Sequence, residues 1–184
     1  MPHAFPTYWL VTISTYGAWL PGDPRGFQTK RGRRYVPPPK RYAKRGEETY
    51  DADEYQRLHE QSKSLSGAKV VAFPEAMRPW VLEILVRRID EMGIGPRVLS
   101  VGRQHGHLVA RFGRWRIRPA MGQAKAAVTN AFRATGDRRS IWAAGCHMRS
   151  KPTRQLYLGA IEYVRKHVRE GAVIYEWLER DDEQ

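Results

Sequence analysis

Cysteine is almost absent from this chain, and long apolar runs are absent altogether. Its 184 residues contain one cysteine, Cys146, so no disulfide can form within the chain. No stretch approaches the roughly 20 apolar residues that a membrane helix needs. The N-terminus lacks the basic and apolar regions that mark a signal peptide. We therefore expect a soluble, cytoplasmic protein with no membrane association.

Acidic residues are few beside basic ones. The chain has 19 Asp and Glu against 32 Lys and Arg, which gives a formal net charge of +13. A positive field of this size attracts polyanions and speeds their encounter. Nucleic acid is the expected partner, with anionic membranes and ribosomal surfaces as alternatives. The length suits one hydrophobic core, so we expect residues 1–184 to form a single domain.

The apolar patterning predicts an α+β fold. Predicted strands cover 8–15, 70–73, 97–102, 105–112 and 141–148, and predicted helices cover 51–65, 74–93, 119–136 and 152–170. Two of the strands are adjacent and joined by a tight turn near residues 103–104. This order favours a ferredoxin-like sandwich, with a largely antiparallel sheet and helices packed on it.

Two segments differ in charge from the rest of the chain. Residues 25–45 contain nine basic side chains and no acidic one, which indicates a basic loop or arm at about 24–46 that becomes ordered on binding. From about residue 176 the chain is mostly acidic, which is typical of a solvated tail.

Two histidines, His105 and His107, flank a glycine in a predicted strand. Residues i and i+2 of a strand project from the same face, so the two imidazoles are expected side by side. Two imidazoles at this spacing can ligate a metal. The motif is short, however, and two polar residues on an exposed sheet face would give the same pattern.

A tyrosine and a third histidine, Tyr163 and His167, are four residues apart in the last predicted helix, and therefore lie on one helix face. They border the apolar stripe that we predict for this helix, which consists of Leu156, Ala160, Val164 and Val168. Each of the two residues alone is more typical of a packing or surface position. The functional hypothesis depends on their combination with the histidine pair.

The chemistry explains why these residue types belong together. A phosphodiester repels nucleophiles because its oxygens are negative, and a divalent cation held by imidazoles neutralises that charge. A tyrosine hydroxyl needs such help to attack, since its ordinary pKa is about 10. Attack by Tyr163 displaces a 3′-hydroxyl and leaves a 5′-phosphotyrosine, from which a second strand end can be rejoined without ATP.

Four segments together resemble the single-tyrosine HUH (His–hydrophobic–His) transposases, which include the REP-associated and IS200-like enzymes. Residues 15–23 are similar to the family's N-terminal stretch, and residues 105–109 are similar to its HUH strand. Residues 141–145 are similar to the strand before the tyrosine helix, and residues 161–172 are similar to that helix. Their order and separation carry the resemblance, which spans nearly the whole chain.

The resemblance implies a ferredoxin-like fold that dimerises and acts on single-stranded DNA bearing a hairpin or palindrome. It implies Mg²⁺ or Mn²⁺ held by His105, His107 and His167, with Tyr163 as the nucleophile for cleavage and strand transfer. The chain departs from the family pattern at two positions. Gly106 replaces a bulky apolar residue, which is expected to loosen strand packing, and His167 replaces an amide, which shifts preference toward Mn²⁺ or Zn²⁺.

Basic and aromatic residues suggest how DNA is held. Arginine and lysine contact phosphates, and an indole can stack on an unpaired base. The candidate DNA contacts are Arg31, Arg33, Arg34, Arg103, Arg114, Trp115, Arg116 and Lys125.

Two other functions remain open at this point. The chain is a non-cleaving, domesticated DNA- or RNA-binding module on the same fold, or it is a metal-dependent nuclease that uses water as its nucleophile. In the second case Tyr163 only packs. The sequence lacks an evident carboxylate cluster for a two-metal site, so the nuclease is the least favoured of the three functions.

Overall fold

A computed structural model of the chain describes residues 5–18, 20, 27–28, 35–36, 52–65 and 70–177. Two compact units can be distinguished: one combines Met1–Thr15 with Ala72–Gln184, and the other is Tyr16–Val71. Most of the predicted basic arm and residues 178–184 of the predicted acidic tail lie outside the described residues. The single domain stays a prediction.

The element order within the described residues is as follows. The strands are β1 (Tyr8–Ser14), β2 (Phe27–Gln28), β3 (Tyr35–Val36), β4 (Gly95–Val101), β5 (His105–Arg111), β6 (His147–Lys151) and β7 (Val173–Glu176). The helices are α1 (Ala52–Leu65), α2 (Arg78–Glu91), α3 (Ile117–Ala134) and α4 (Arg154–Lys166), with short 3-10 segments at Glu75–Met77 and His167–Glu170. In the second unit, β2 and β3 pair antiparallel.

The first unit contains an antiparallel five-stranded sheet with strand order β6-β1-β5-β4-β7. Along the chain its elements run β1, α2, β4, β5, α3, β6, which is the ferredoxin-like β-α-β-β-α-β pattern. The predicted α+β sandwich is therefore confirmed. α4 and β7 follow this pattern as additions.

The two faces of the sheet are covered by different helices. α2 packs on α3 and on β4, while α4 packs on the opposite face against β1, β4, β5 and β6. On that face Tyr157 and Val164 of α4 share a buried cluster with Tyr8, Val98 and Val109. Because side chains alternate along β5, the face that carries Val109 also carries both histidines.

Residues 70–73 do not form the strand that the sequence predicts. The amide of Val71 donates to the Tyr16 carbonyl at 2.9 Å, and the amide of Phe73 donates to the Arg103 carbonyl at 2.7 Å. These isolated bonds do not continue into a ladder, so an apolar run here buries side chains without making a strand.

The predicted strand at 141–148 is wrong in position. β6 covers His147–Lys151, and the only pairing of the earlier residues that the described part shows is a bridge between Trp142 and Thr15. Gly145 interrupts the segment with a positive φ of 68°, which ends regular extension before the chain enters the sheet.

The first residue of the predicted acidic tail is exposed but belongs to the sheet. Glu176 ends β7, an edge strand that was not predicted. Its carboxylate accepts from the Arg165 guanidinium at 2.7 Å and 2.8 Å. The pair joins α4 to the edge of the sheet.

The apolar stripe of α4 shares only Ala160 and Val164 with the four residues predicted for it. The buried residues are Tyr157, Ala160, Ile161 and Val164. Leu156 and Val168 are 47% and 54% exposed. His167 lies on the buried stripe, three residues after Val164, and Gly171 ends the following 3-10 turn at φ 77° as predicted.

Candidate metal and tyrosine site

Gly106 sets the spacing of the histidine pair and brings β5 close to β4. A side chain there would place its Cβ 2.9 Å from the Ser100 carbonyl oxygen, which is too near for any residue except glycine. The expectation that Gly106 loosens the strand packing is therefore wrong, since the glycine permits a close approach of the two strands.

Three imidazoles from distant parts of the chain converge on the α4 face of the sheet. The ring centroid of His107 is 4.9 Å from that of His105 and 4.4 Å from that of His167. One ring nitrogen from each residue lies within 4.8 Å of the other two. Converging imidazole nitrogens of this kind can share one metal ion.

Tyr163 lies at the rim of this histidine cluster (His105, His107 and His167). Its ring centroid is 5.2 Å from that of His107 and 4.8 Å from that of His167. The side chain is 43% exposed, so a large substrate can reach the phenol. The structure thus brings together all four residues to which the sequence analysis assigned chemistry.

The buried histidine nitrogens fit a metal. Nδ1 of His107 is hydrogen-bonded to Thr12 Oγ1 at 2.9 Å. Nε2 of His107 and Nε2 of His167 are both buried, and neither has a hydrogen-bond partner among the described residues. Buried polar atoms normally have partners. Two unpartnered nitrogens facing a common point are what a bound cation would satisfy.

Electrostatics keep His107 neutral, which is the form that ligates metals. Burial, together with the neighbouring His105 and His167, lowers the pKa of His107 to about 3. When His107 donates through Nδ1 to Thr12, its lone pair is on Nε2 and points away from β1.

Two residues around His107 were missed by the sequence analysis. Thr12 is opposite His107 on β1, and Ser100 is opposite it on β4, so the three form one row across the sheet. Ser100 is fully buried, and its hydroxyl has no partner within the described residues. Strand register determines both contacts. The register between β1 and β5 leaves no local signal in the sequence, whereas Ser100 and His107 lie symmetrically about the predicted turn near residues 103–104.

Thr12 gives a first prediction. Replacing Thr12 by valine is expected to weaken Mn²⁺ binding by roughly 10- to 100-fold, because the imidazole of His107 loses the partner that orients it. Thr12→Ser keeps the hydroxyl and is the matched control, with near-normal affinity. Isothermal titration calorimetry measures both. Equal affinities for the valine and serine variants would remove Thr12 from any orienting role.

The acid stability of the protein gives a second prediction. Because the pKa of His107 is lower in the folded state than the ordinary 6.5, the unfolded state binds more protons between these values. In chelator, the free energy of unfolding should fall by about 1.4 kcal/mol per pH unit below 6.5. Urea titrations of the wild type and His107→Gln across this range measure it. The slope should be smaller in the variant, and equal slopes contradict the assignment.

The surroundings of Tyr163 do not activate it. Burial raises the pKa of Tyr163, Glu170 raises it further, and Arg149 of β6 acts in the opposite direction. A phenol with a raised pKa is a poor nucleophile on its own. Any attack by Tyr163 therefore needs an additional positive charge nearby.

The predicted DNA contacts are not all near the histidine cluster. Arg31, Arg33 and Arg34 lie outside the described residues. Arg103 is exposed in the turn before His105. Lys125 donates to the carbonyls of Ala143 at 2.5 Å and Gly145 at 2.8 Å, so its ammonium supports a loop.

The remaining predicted contacts follow the far end of β5. Arg114 and Arg116 are exposed, and the Trp115 indole donates to the Met92 carbonyl at 2.7 Å. Trp115 and Arg116 line an open depression of about 760 Å³. A seven-residue strand separates this depression from His105, a length of about 20 Å. The roles of all these residues in DNA binding stay predictions.

No protein-family model and no curated protein matches the chain. Among solved structures, the chain is similar to a REP-associated tyrosine transposase bound to a REP hairpin. The alignment has 10% sequence identity and a TM-score of 0.48, and it covers 93% of this chain and 73% of that one. The fold assignment given above depends on strand order and register and is independent of this overlap. No described helix has the length and apolarity to cross a membrane.

Proposed function

We propose that this protein cleaves single-stranded DNA with Tyr163 and transfers the strand through a 5′-phosphotyrosine. One observation carries the proposal, which is the convergence of a phenol and three imidazoles in one partly open cluster. A surface tyrosine that only packs needs no buried, unpartnered histidine nitrogens beside it. The net charge of +13 supports a polyanionic substrate.

His105, His107 and His167 are the residues that would hold a divalent cation. When bound, the cation would supply positive charge that neutralises and orients the attacked phosphate. An all-nitrogen ligand set favours Mn²⁺ or Zn²⁺ over Mg²⁺, which prefers oxygen. The Thr12 hydroxyl orients the His107 imidazole, and burial keeps that imidazole neutral.

The reaction is a transesterification. The Tyr163 oxygen forms a bond to phosphorus, the bond from phosphorus to the 3′-oxygen breaks, and the phenol proton is balanced by the proton taken up by the leaving 3′-hydroxyl. The fragment on the 3′ side of the cut stays on the protein through its 5′-phosphate. A second 3′-hydroxyl reverses these steps and joins the strand to a new end. Exposure of Tyr163 on the rim suits a substrate that enters from solvent.

A denaturing gel tests the proposal. The protein is incubated with Mn²⁺ and a single-stranded oligonucleotide that carries a hairpin, labelled at its 3′ end in one sample and its 5′ end in another. The 3′ label should migrate with the protein, because the 5′-phosphate side stays attached. Binding without any adduct would indicate the non-cleaving module. Free 5′-phosphate products without an adduct would indicate the nuclease that uses water.

The hairpin substrate and a homodimer are part of the same proposal and come from the resemblance of the sequence motifs. A cytoplasmic location also stays a prediction. Size-exclusion chromatography with light scattering measures the oligomeric state directly.

A further inference from the structure

Strand β6 carries a row of basic side chains on the same face as Tyr163. His147 is opposite Thr12, Arg149 opposite Leu10 and Lys151 opposite Tyr8 in the register with β1. Paired residues project from one face of a sheet. Because Thr12 bonds to His107 on the α4 face, the three β6 side chains lie on that face as well. We call Arg149 and Lys151 the β6 cation row, because burial and the neighbouring Arg149 lower the pKa of His147 and favour its neutral imidazole.

The β6 cation row is accessible and lies beside the tyrosine. β6 is an edge strand, and His147 and Arg149 are exposed while Lys151 is half-buried. Within the described residues, neither Arg149 nor Lys151 pairs with a carboxylate. Arg149 is close enough to lower the pKa of Tyr163 against the other influences on it.

The helix side next to Tyr163 is also open. Gly159 precedes Tyr163 by four residues and therefore lies on the same face of α4. A Cβ at Gly159 would meet no heavy atom within 4 Å. On the other side of α4, Arg165 forms an ion pair with Glu176 of β7. Among the described residues, the surface of α4 beside Gly159 and Tyr163 is therefore open to a substrate.

We propose that the β6 cation row binds the backbone of the single strand and leads it to Tyr163, with Arg149 on the phosphate nearest the phenol. That the strand is led toward Tyr163 rests on the proposed function, but binding of the strand to the row does not require cleavage. Alternate residues of a strand are about 6.7 Å apart. This spacing is comparable to the distance between successive phosphates of one strand, so neighbouring side chains of the row can contact neighbouring phosphates along a single strand.

Salt dependence tests the row. The probe is a short fluorescent oligothymidylate, measured by anisotropy in chelator so that no cleavage occurs. Each phosphate contact to a single strand contributes about 0.7 to the slope of log affinity against log salt. Arg149→Ala/Lys151→Ala should reduce the slope by about 1.4 and weaken binding roughly tenfold at moderate salt. Arg149→Lys should retain most of the slope, since phosphate contacts require charge.

The matched control removes the same charge elsewhere. Arg87→Ala/Arg133→Ala alters two exposed arginines on α2 and α3, which cover the opposite face. Its slope should stay at the wild-type value. An equal loss of slope in both double variants would mean that binding depends only on net charge, and this result would overturn the proposed role of the β6 cation row. Urea unfolding of all variants confirms that the altered proteins are folded.

The two proposals fail in different ways. If the wild type forms no adduct on the denaturing gel but the slope falls in Arg149→Ala/Lys151→Ala alone, the proposed strand transfer is wrong and the row stands. If the adduct forms and the slope is unchanged in that variant, strand transfer stands and the row is overturned.

Discussion

Tyr163→Phe should abolish the covalent protein–DNA adduct and leave Mn²⁺ affinity unchanged. The substitution removes only the hydroxyl oxygen, so the ring contacts with His107 and His167 remain and the histidine cluster keeps its geometry. Without that oxygen no bond to phosphorus can form. Adduct formation should decrease by at least roughly 1000-fold, because removal of a nucleophile eliminates the pathway that depends on it.

The matched control for this variant is Tyr175→Phe. Tyr175 is also 43% exposed, but it lies on β7 and packs against Trp177 at a centroid distance of 4.7 Å. This variant should form the adduct at the wild-type rate. Calorimetry with Mn²⁺ on both variants separates loss of the nucleophile from damage to the cluster. An undiminished adduct in Tyr163→Phe would falsify the assignment of the nucleophile.

His107→Gln should eliminate most of the divalent metal affinity and, with it, strand cleavage. His107 is the most central of the three histidines, since it contacts both other imidazoles and Tyr163 and is anchored by Thr12. Loss of a ligand should cost more than the roughly 10- to 100-fold that loss of an orienting partner costs. Mn²⁺ and Zn²⁺ titrations measure the affinity, and the denaturing gel measures cleavage.

His59→Gln is the control for this prediction. His59 belongs to α1, in the unit formed by Tyr16–Val71, and should not affect metal binding. Oligothymidylate affinity in chelator should be almost unchanged in both variants, because the phosphate contacts are elsewhere. Unaltered Mn²⁺ affinity in His107→Gln would show that the cluster is only a polar core. Retained cleavage in the same variant would mean that the reaction does not need this metal site.

The site residues were predictable because each pair is local in sequence. A spacing of two in a strand and of four in a helix determines which side chains share a face, whatever the rest of the chain does. His105 with His107, and Tyr163 with His167, are such pairs. That the two pairs meet depends on α4 packing over β5, which the motif resemblance implied and spacing alone does not.

The missed features have long-range causes. Thr12 reaches His107 through pairing of β1 with β5, and nothing near Thr12 in sequence indicates a partner 95 residues away. Ser100 is the exception, because the predicted hairpin already places it opposite His107. β7 has only four residues, and it forms a strand because it pairs with the free edge of β4. The alternation of His147, Arg149 and Lys151 was visible, but the strand was placed too early to show that they share a face.

A buried arginine joins α2 to the chain that follows α4. Arg78 of α2 is buried, and its guanidinium donates to the carbonyls of Phe73 and Gly171. Gly171 immediately follows the segment that carries His167. If α4 moved away and no second copy took its place, this cation would lose one of its acceptors inside the protein, at a cost of several kcal/mol. Any exchange of this helix between two copies would therefore have to be reciprocal, so that each guanidinium regains a carbonyl acceptor.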